Sequence, residues 1–397
     1  MSKPRVLQLG QIEQYVSSPP SQNLASCVSF SHPSGFSLIF NRLLFPDPPI
    51  SQSLTISTKY IKAKANRPTP SAHDTWASLA DVAEIIKPKA TNRAEFLEEC
   101  KSGALDGVKA IYRTFSSVHI TGRFDAELIA ALPSSVDFIC HNGAGYDQID
   151  IPSCTSRSPT SPILVSNTPT AVDDATADIN IWLMLGALRN LNASIFSIRD
   201  GKWRGTQPPP LGRDPQGKIL GILGMGGIGR NMAKKARAFG MTVRYFNRTR
   251  LAASLEEECG AVYVDFDTLL KESDVISLNL PLNAHTRHII STPQFDLMKQ
   301  GVVVVNTARG AVMDEAALVA ALDAGKVASA GLDVFENEPE VHPGLLANPN
   351  VLIVPHMGTW TLETSVKMEA WAIGNVRRAV TEGKLDSVVV EQKGLAA

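Results

Sequence analysis

Short apolar runs alternate with helical segments along most of the chain. PRVLQLG at residues 4–10 reads as a buried strand. After residue 72, AEFLEECKSG reads as helix, GVKAIYR as strand, DAELIAALPS as helix, and VDFICHNGAG as a strand running into a glycine loop. A long helix then spans roughly Val172–Leu191 (VDDATADINIWLMLGALRNL), opened by acids that suit the positive end of a helix dipole. A second series follows, with KILGILGMG, MTVRYFN, VISLNLP, GVVVVNTARG, SAGLDVF and NVLIVPHMG as strands and helical segments between them. Alternation of this kind predicts an α/β fold of parallel sheets flanked by helices, here two doubly wound domains in succession.

The pattern lapses between Tyr15 and Ser71. Twelve serines and eight prolines fall there, Asp47 is the only acid, and neither the helical nor the strand period persists. So long a loop inside a compact domain argues for disorder or an insertion. Residues 15–71 are therefore expected to lie outside the functional fold. Val16-Ser17 can be encoded by GTAAGT, a splice-donor string, so the segment also reads as a translated intron; a genuine surface insertion is the competing reading.

Composition narrows the class. A chain of 397 residues, 44% hydrophobic and 19% charged, has the size for two ordinary cores and the balance of a soluble globular protein. A net charge of -1 supplies no basic field, so nucleic acid is not an expected partner. No apolar run approaches the roughly 20 residues that a bilayer crossing needs, and the N-terminus enters a strand rather than a signal peptide. Neither a membrane nor a metal is expected. Cys27, Cys100, Cys140, Cys154 and Cys259 form no CxxC pair, which fits small buried thiols in a reducing compartment, and a cytoplasmic location is the expectation.

The most informative stretch is GILGMGGIGRNMAKKA at 221–236. Gly224 would permit a sharp strand-to-helix turn, Gly226 would let backbone N–H groups approach a pyrophosphate, and Gly229 would allow helix to pack closely on strand. Met225, Gly227 and Ile228 complete the loop. The placement, after a buried strand and before a helix, is the one dinucleotide binding requires. An acid about 20 positions on would hold the ribose hydroxyls of NAD, but the next strand ends in Asn247, Arg248, Thr249 and Arg250. A guanidinium suits a 2′-phosphate. NADP(H) is therefore favoured, with NAD the alternative if Arg248 merely stacks on adenine.

Five ordered motifs, NGAGYDQID at 142–150, GMGGIGR at 224–230, NTARGAVMDEAAL at 306–318, AGLDVFENEP at 330–339 and PHMG at 355–358, resemble those of the D-isomer-specific 2-hydroxyacid dehydrogenases, which include glyoxylate/hydroxypyruvate reductases. The resemblance covers most of the chain outside the insert. It implies a Rossmann coenzyme domain, 166–357, inserted into a flavodoxin-like substrate domain made of 1–165 and 358–397, and a homodimer built around the helix near Val172–Leu191.

Reducing a 2-keto acid requires a cation for the carboxylate, a hydride donor and an acid for the developing alkoxide. Arg309 follows the apolar run GVVVVNTA, at the strand edge where open α/β sheets bind ligands, and could clamp a carboxylate bidentately while polarising the carbonyl. His356 also follows a buried strand and would exchange a proton with the carbonyl oxygen. Glu338 would bond His356, orient its ring and favour its protonated form. The spacing of Arg309 to Glu338 matches the family's, and the three look like its catalytic set. Backbone N–H groups of Gly143, Ala144 and Gly145 would be a second carboxylate grip. By resemblance, Asp333 would bond the nicotinamide carboxamide, while Pro281, Thr307 and Ala308 would line the cofactor cleft. Trp360 either narrows the substrate mouth or packs.

The leading expectation is NAD(P)H-dependent reduction of a small 2-keto acid such as glyoxylate or hydroxypyruvate. The alternatives are a cofactor-sensing corepressor-like regulator of the same fold and a dehydrogenase for bulkier, aromatic 2-keto acids. Phosphoglycerate dehydrogenase is disfavoured because only about 40 residues follow His356, too few for an added regulatory domain. Formate dehydrogenase is disfavoured because a glutamate precedes Pro339.

Overall fold

A computed structural model describes residues 3–10, 72–158, 161–204 and 210–395; the expectations for 15–71, Cys27 among them, lie outside the described residues. Two parallel sheets organise the chain. The first joins β1 (Arg5–Leu9), β2 (Glu84–Ile86), β3 (Val108–Thr114), β4 (Phe138–Asn142) and β5 (Leu164–Ser166) in the order β2-β1-β3-β4-β5. The second joins β6 (Ile219–Leu223), β7 (Thr242–Phe246), β8 (Ala261–Tyr263), β9 (Val275–Leu278), β10 (Val302–Asn306), β11 (Val327–Leu332) and β12 (Val351–Ile353) in the order β12-β11-β10-β9-β6-β7-β8. The first order is flavodoxin-like and the second is Rossmann-like, its winding reversing between β6 and β9.

Alternating side chains explain why both faces of each sheet are covered. In β1, Leu7 and Leu9 join Phe96, Leu128 and Ile139 on one side, while Val6 joins Tyr112 and Cys140 on the other. That second side is closed by Ala372, Ile373, Val376 and Ala379 of the helix Leu362–Glu382, so the C-terminal segment returns to the first sheet. In the second sheet, Ile276, Val302 and Val304 pack on Phe295 and Leu318, whereas Leu220, Val243 and Val305 pack on Ala177, Met184, Met232 and Ala236. Cys100, Cys140, Cys154 and Cys259 are buried free thiols.

The helix expected over Val172–Leu191 is shorter than its pattern suggests. It runs Asp173–Leu188, Asn190 adopts a left-handed conformation at φ 51°, and a second helix, Leu191–Arg199, departs at 79°. An asparagine tolerates that conformation because its short polar side chain can bond locally; here Nδ2 donates to the Pro210 carbonyl at 2.9 Å. Strands β2, β5 and β8 were not anticipated. Each has three residues, too few to display a period.

Candidate active site

Topology brings the motifs to one edge. The glycine loop follows β6 and Asn279 follows β9, so the loop occupies the crevice where the winding reverses. Gly224 sits at φ +99°, and a Cβ there would lie 2.7 Å from the Asn279 carbonyl oxygen. A Cβ on Gly229 would lie 2.4 Å from the Gly224 oxygen, which is the close strand–helix approach that glycine permits. A Cβ on Gly226, by contrast, would project into open space. That space is a cavity of about 270 Å³ lined by Gly226, Gly227, Ile228, Asn279 and Thr170, at the start of the helix Gly227–Ala238. The Asn247 Oδ1 accepts the Met225 N–H at 2.7 Å and ties the end of β7 to the loop. Thr307 is buried, and its hydroxyl has no protein partner. Helix-start N–H groups, clear space before Gly226 and an unsatisfied buried hydroxyl fit a dinucleotide.

Arg309 lies in the turn after β10. Asn306 braces that turn, accepting the Ala308 N–H at 3.0 Å and donating to the Arg309 carbonyl at 3.0 Å. The Arg309 Nε donates to Asp147 Oδ1 at 2.8 Å, and Nη1 donates to the Ala308 carbonyl at 2.7 Å. Nη2 faces Gly145 so closely that a Cβ there would lie 1.9 Å away. Any side chain at that position would push the guanidinium aside.

His356 follows β12 at φ +54°. Its Nδ1 lies 2.8 Å from Glu338 Oε2, and Glu338 Oε1 accepts the Phe335 N–H at 3.0 Å, which leaves the ring's Nε2 for chemistry. Burial pushes the Glu338 carboxyl up, but the His356 bond and charge, the Phe335 N–H and the nearby Arg309 outweigh it and hold it below its ordinary value. Arg309, Glu338 and His356 thus meet at the same edge. Asp333, fully buried, accepts the Met357 and Gly358 N–H groups, and its carbonyl accepts the His356 N–H at 2.8 Å. Burial raises its carboxyl to about 6. The structure therefore commits Asp333 to the turn carrying His356, although each oxygen keeps a second lone pair. The Phe115 ring, after β3, lies 5.4 Å from the His356 ring.

The Gly143–Gly145 turn follows β4. Its carbonyls are engaged, Gly143 by the Thr168 N–H, Ala144 by Asn167 Nδ2 and Gly145 by His141 Nε2. Among the described residues its N–H groups have no protein acceptor. Arg248 and Thr249 are exposed at the end of β7. Pro281 is exposed, its carbonyl accepting the Thr286 hydroxyl at 2.6 Å, and Trp360 is exposed beyond His356. Asp147, His141, Arg113 and Phe115 were missed by sequence reasoning. Two signals were available: an acid two residues past a glycine turn, and polar side chains inside the apolar runs of β3 and β4. Among the described residues no cluster of three His, Cys, Asp or Glu side chains is placed to hold a metal.

Comparison with known proteins yields consistent likenesses. Residues 181–358 match the family model described as D-isomer specific 2-hydroxyacid dehydrogenase, NAD binding domain. The chain is 54% identical over 324 residues to 4-methyl-2-oxopentanoate reductase A of Aspergillus oryzae, covering 82% of this chain and 96% of that one. The crystal structure of a glyoxylate reductase from Paecilomyes thermophila superposes with a TM-score of 0.80 at 46% identity, covering 99% of this chain and 100% of that one. An NADPH-dependent glyoxylate/hydroxypyruvate reductase of Sinorhizobium meliloti, in complex with NADP and malonate, superposes with a TM-score of 0.71 at 25% identity, covering 98% of each chain.

Proposed function

The chain belongs to the D-isomer-specific 2-hydroxyacid dehydrogenases, and from that premise we propose that it reduces a small 2-keto acid, of the glyoxylate or hydroxypyruvate class, to the D-2-hydroxy acid with NADPH. The observation that carries this reading is the Glu338–His356 pair standing beside Arg309, on the sheet edge that also bears the glycine cradle. Arg309 and the free N–H groups of Gly143–Gly145 would take the substrate carboxylate, with Asp147 preventing the guanidinium from turning away. His356 would hold a proton at Nε2 and deliver it to the carbonyl oxygen. Glu338, on Nδ1, fixes the orientation of the ring. A reduced nicotinamide cofactor, its pyrophosphate held by the glycine cradle, would supply the hydride. With that hydride and the His356 proton the carbonyl becomes an alcohol, and His356 regains its proton from solvent. A regulatory role is not favoured, since relatives matching four fifths of the chain are named as reductases, and nor is an aromatic substrate class.

NADPH over NADH is supported by the fate of two arginines. Arg250 is committed to Glu256 through bonds of 2.8 and 2.9 Å and lies 5.6 Å from the centre of the Tyr263 ring. Arg248 has no acidic partner among the described residues and would be the guanidinium that meets a 2′-phosphate. Steady-state kinetics with both cofactors tests this: kcat/KM should favour NADPH by about tenfold or more, and Arg248→Ala should erase most of that preference. A native preference for NADH would refute it.

A homodimer is the assembly we propose. Trp182, Phe196, Ile198 and Trp203 are exposed on and just beyond the two helices that meet at Asn190, an apolar surface that a second copy would cover. Sedimentation should return about twice the 42.7 kDa chain mass, and Phe196→Glu should shift it toward one chain. A monomeric native protein would rule the dimer out. Buried free thiols are consistent with a reducing, cytoplasmic setting.

A further inference from the structure

Arg113 is fully buried near the C-terminal end of β3, yet no carboxylate lies within ion-pair distance of it among the described residues. Its Nη2 donates to Gln148 Oε1 at 2.8 Å, and its guanidinium carbon lies 5.2 Å from the centre of the Phe124 ring. Its Nη1 meets the Nδ1 of His141, a buried residue of β4, at 3.3 Å. A guanidinium can only donate, so Nδ1 must accept, and the one proton of the neutral ring sits on Nε2. Nε2 lies 2.9 Å from the Gly145 carbonyl oxygen, which accepts that proton. Burial, with the charge of Arg113, holds the ring well below its ordinary value, so it stays neutral.

The run from Gly143 to Gln148 is thereby stitched on two sides. A Cβ on Gly143 would lie 2.5 Å from His141 Nε2, so the ring lies directly against the turn. Gly145 abuts the Arg309 guanidinium, Asp147 holds its Nε, and Gln148 returns to Arg113. Burying a guanidinium with no carboxylate in contact, favoured only by the nearby charge of Asp147, is costly, and a hydrophobic side chain would fill the same space more cheaply if packing were its only role.

We propose that Arg113 and His141 are positioning residues: the buried guanidinium selects the Nε2–H tautomer of His141, which pins the Gly145 carbonyl and sets the Gly143–Gly145 N–H groups and Arg309 as one rigid grip for the substrate carboxylate. This rests on the keto-acid reductase reading above. A protonated ring would bring a donor against Arg113, and the other tautomer would release Gly145.

The test compares His141→Leu, which supplies neither bond, with His141→Gln, whose amide offers one acceptor and one donor. His141→Leu should raise the keto-acid KM about tenfold or more, change kcat less, and leave cofactor binding unchanged, while His141→Gln should return KM to within about threefold of native. A native-like KM in the Leu variant, or equal losses in both variants, would overturn the proposal. If the Leu variant does not fold, nitrogen NMR of the native protein carries the test, with His141→Gln assigning the signal. A neutral Nε2–H ring between about pH 6 and 8 upholds the proposal, and a charged ring or the Nδ1–H tautomer overturns it. Failure of the reductase reading itself is distinguishable, because the native protein would then turn over no 2-keto acid with either cofactor.

Discussion

His356 occupies a left-handed conformation that a non-glycine residue adopts at a cost of about 1 kcal/mol or more. The surroundings hold it there: Asp333 accepts the backbone N–H groups of the next two residues, and Glu338 holds the ring. Glu338 therefore links stability to pH. Its carboxyl is depressed below its ordinary 4.5 in the folded chain, so its ionised form favours folding above that value, and the gain is lost as pH falls through the depressed one. Glu338→Gln should lower the Tm at neutral pH, with the gap from native closing in acid, and should cut kcat about tenfold or more because the ring loses its anionic partner. Melting curves across pH measure the first effect; a gap that does not change with pH would count against the coupling. Much of this site was legible at residue level, since Arg309, Glu338 and His356 each stand just beyond a strand or in a turn. Asp147 was not singled out, because its partner lies 162 residues away and no local spacing announces it.

At the scale of elements, strands inside runs of consecutive apolar residues were readable, three-residue β12 in NVLIVP included, while β2, β5 and β8 were not. GVVVVNTARG and KILGILGMG announce β10 and β6, whose five and four successive buried positions fit a strand covered on both faces. The edge strands β2 and β8 take their conformation from a single neighbouring strand. The break at Asn190 was invisible because apolar residues continue on both sides of it, so tertiary packing overrides a pattern that would extend the helix. The polar residues inside β3 and β4 show the reverse case. Arg113 and His141 interrupt apolar runs, and that local inconsistency marks a functional feature rather than a misread strand.

At the scale of the whole molecule, the site needs both sheets. The second contributes Arg309, Glu338, His356 and the glycine cradle, while the first contributes Phe115, the Gly143–Gly145 turn and Asp147. Sequence periodicity carries no information about which sheet the C-terminal helix covers; that depends on Ala372, Ile373 and Val376 meeting Tyr112 and Val6 across the core. On this account the convergence performs acid-assisted hydride transfer to a keto acid. The most direct measurement is steady-state reduction of glyoxylate by His356→Ala beside a cofactor-binding titration of the same variant. A fall in kcat of about 10²–10⁴ with cofactor affinity unchanged is the predicted result; turnover close to that of the native chain would contradict it.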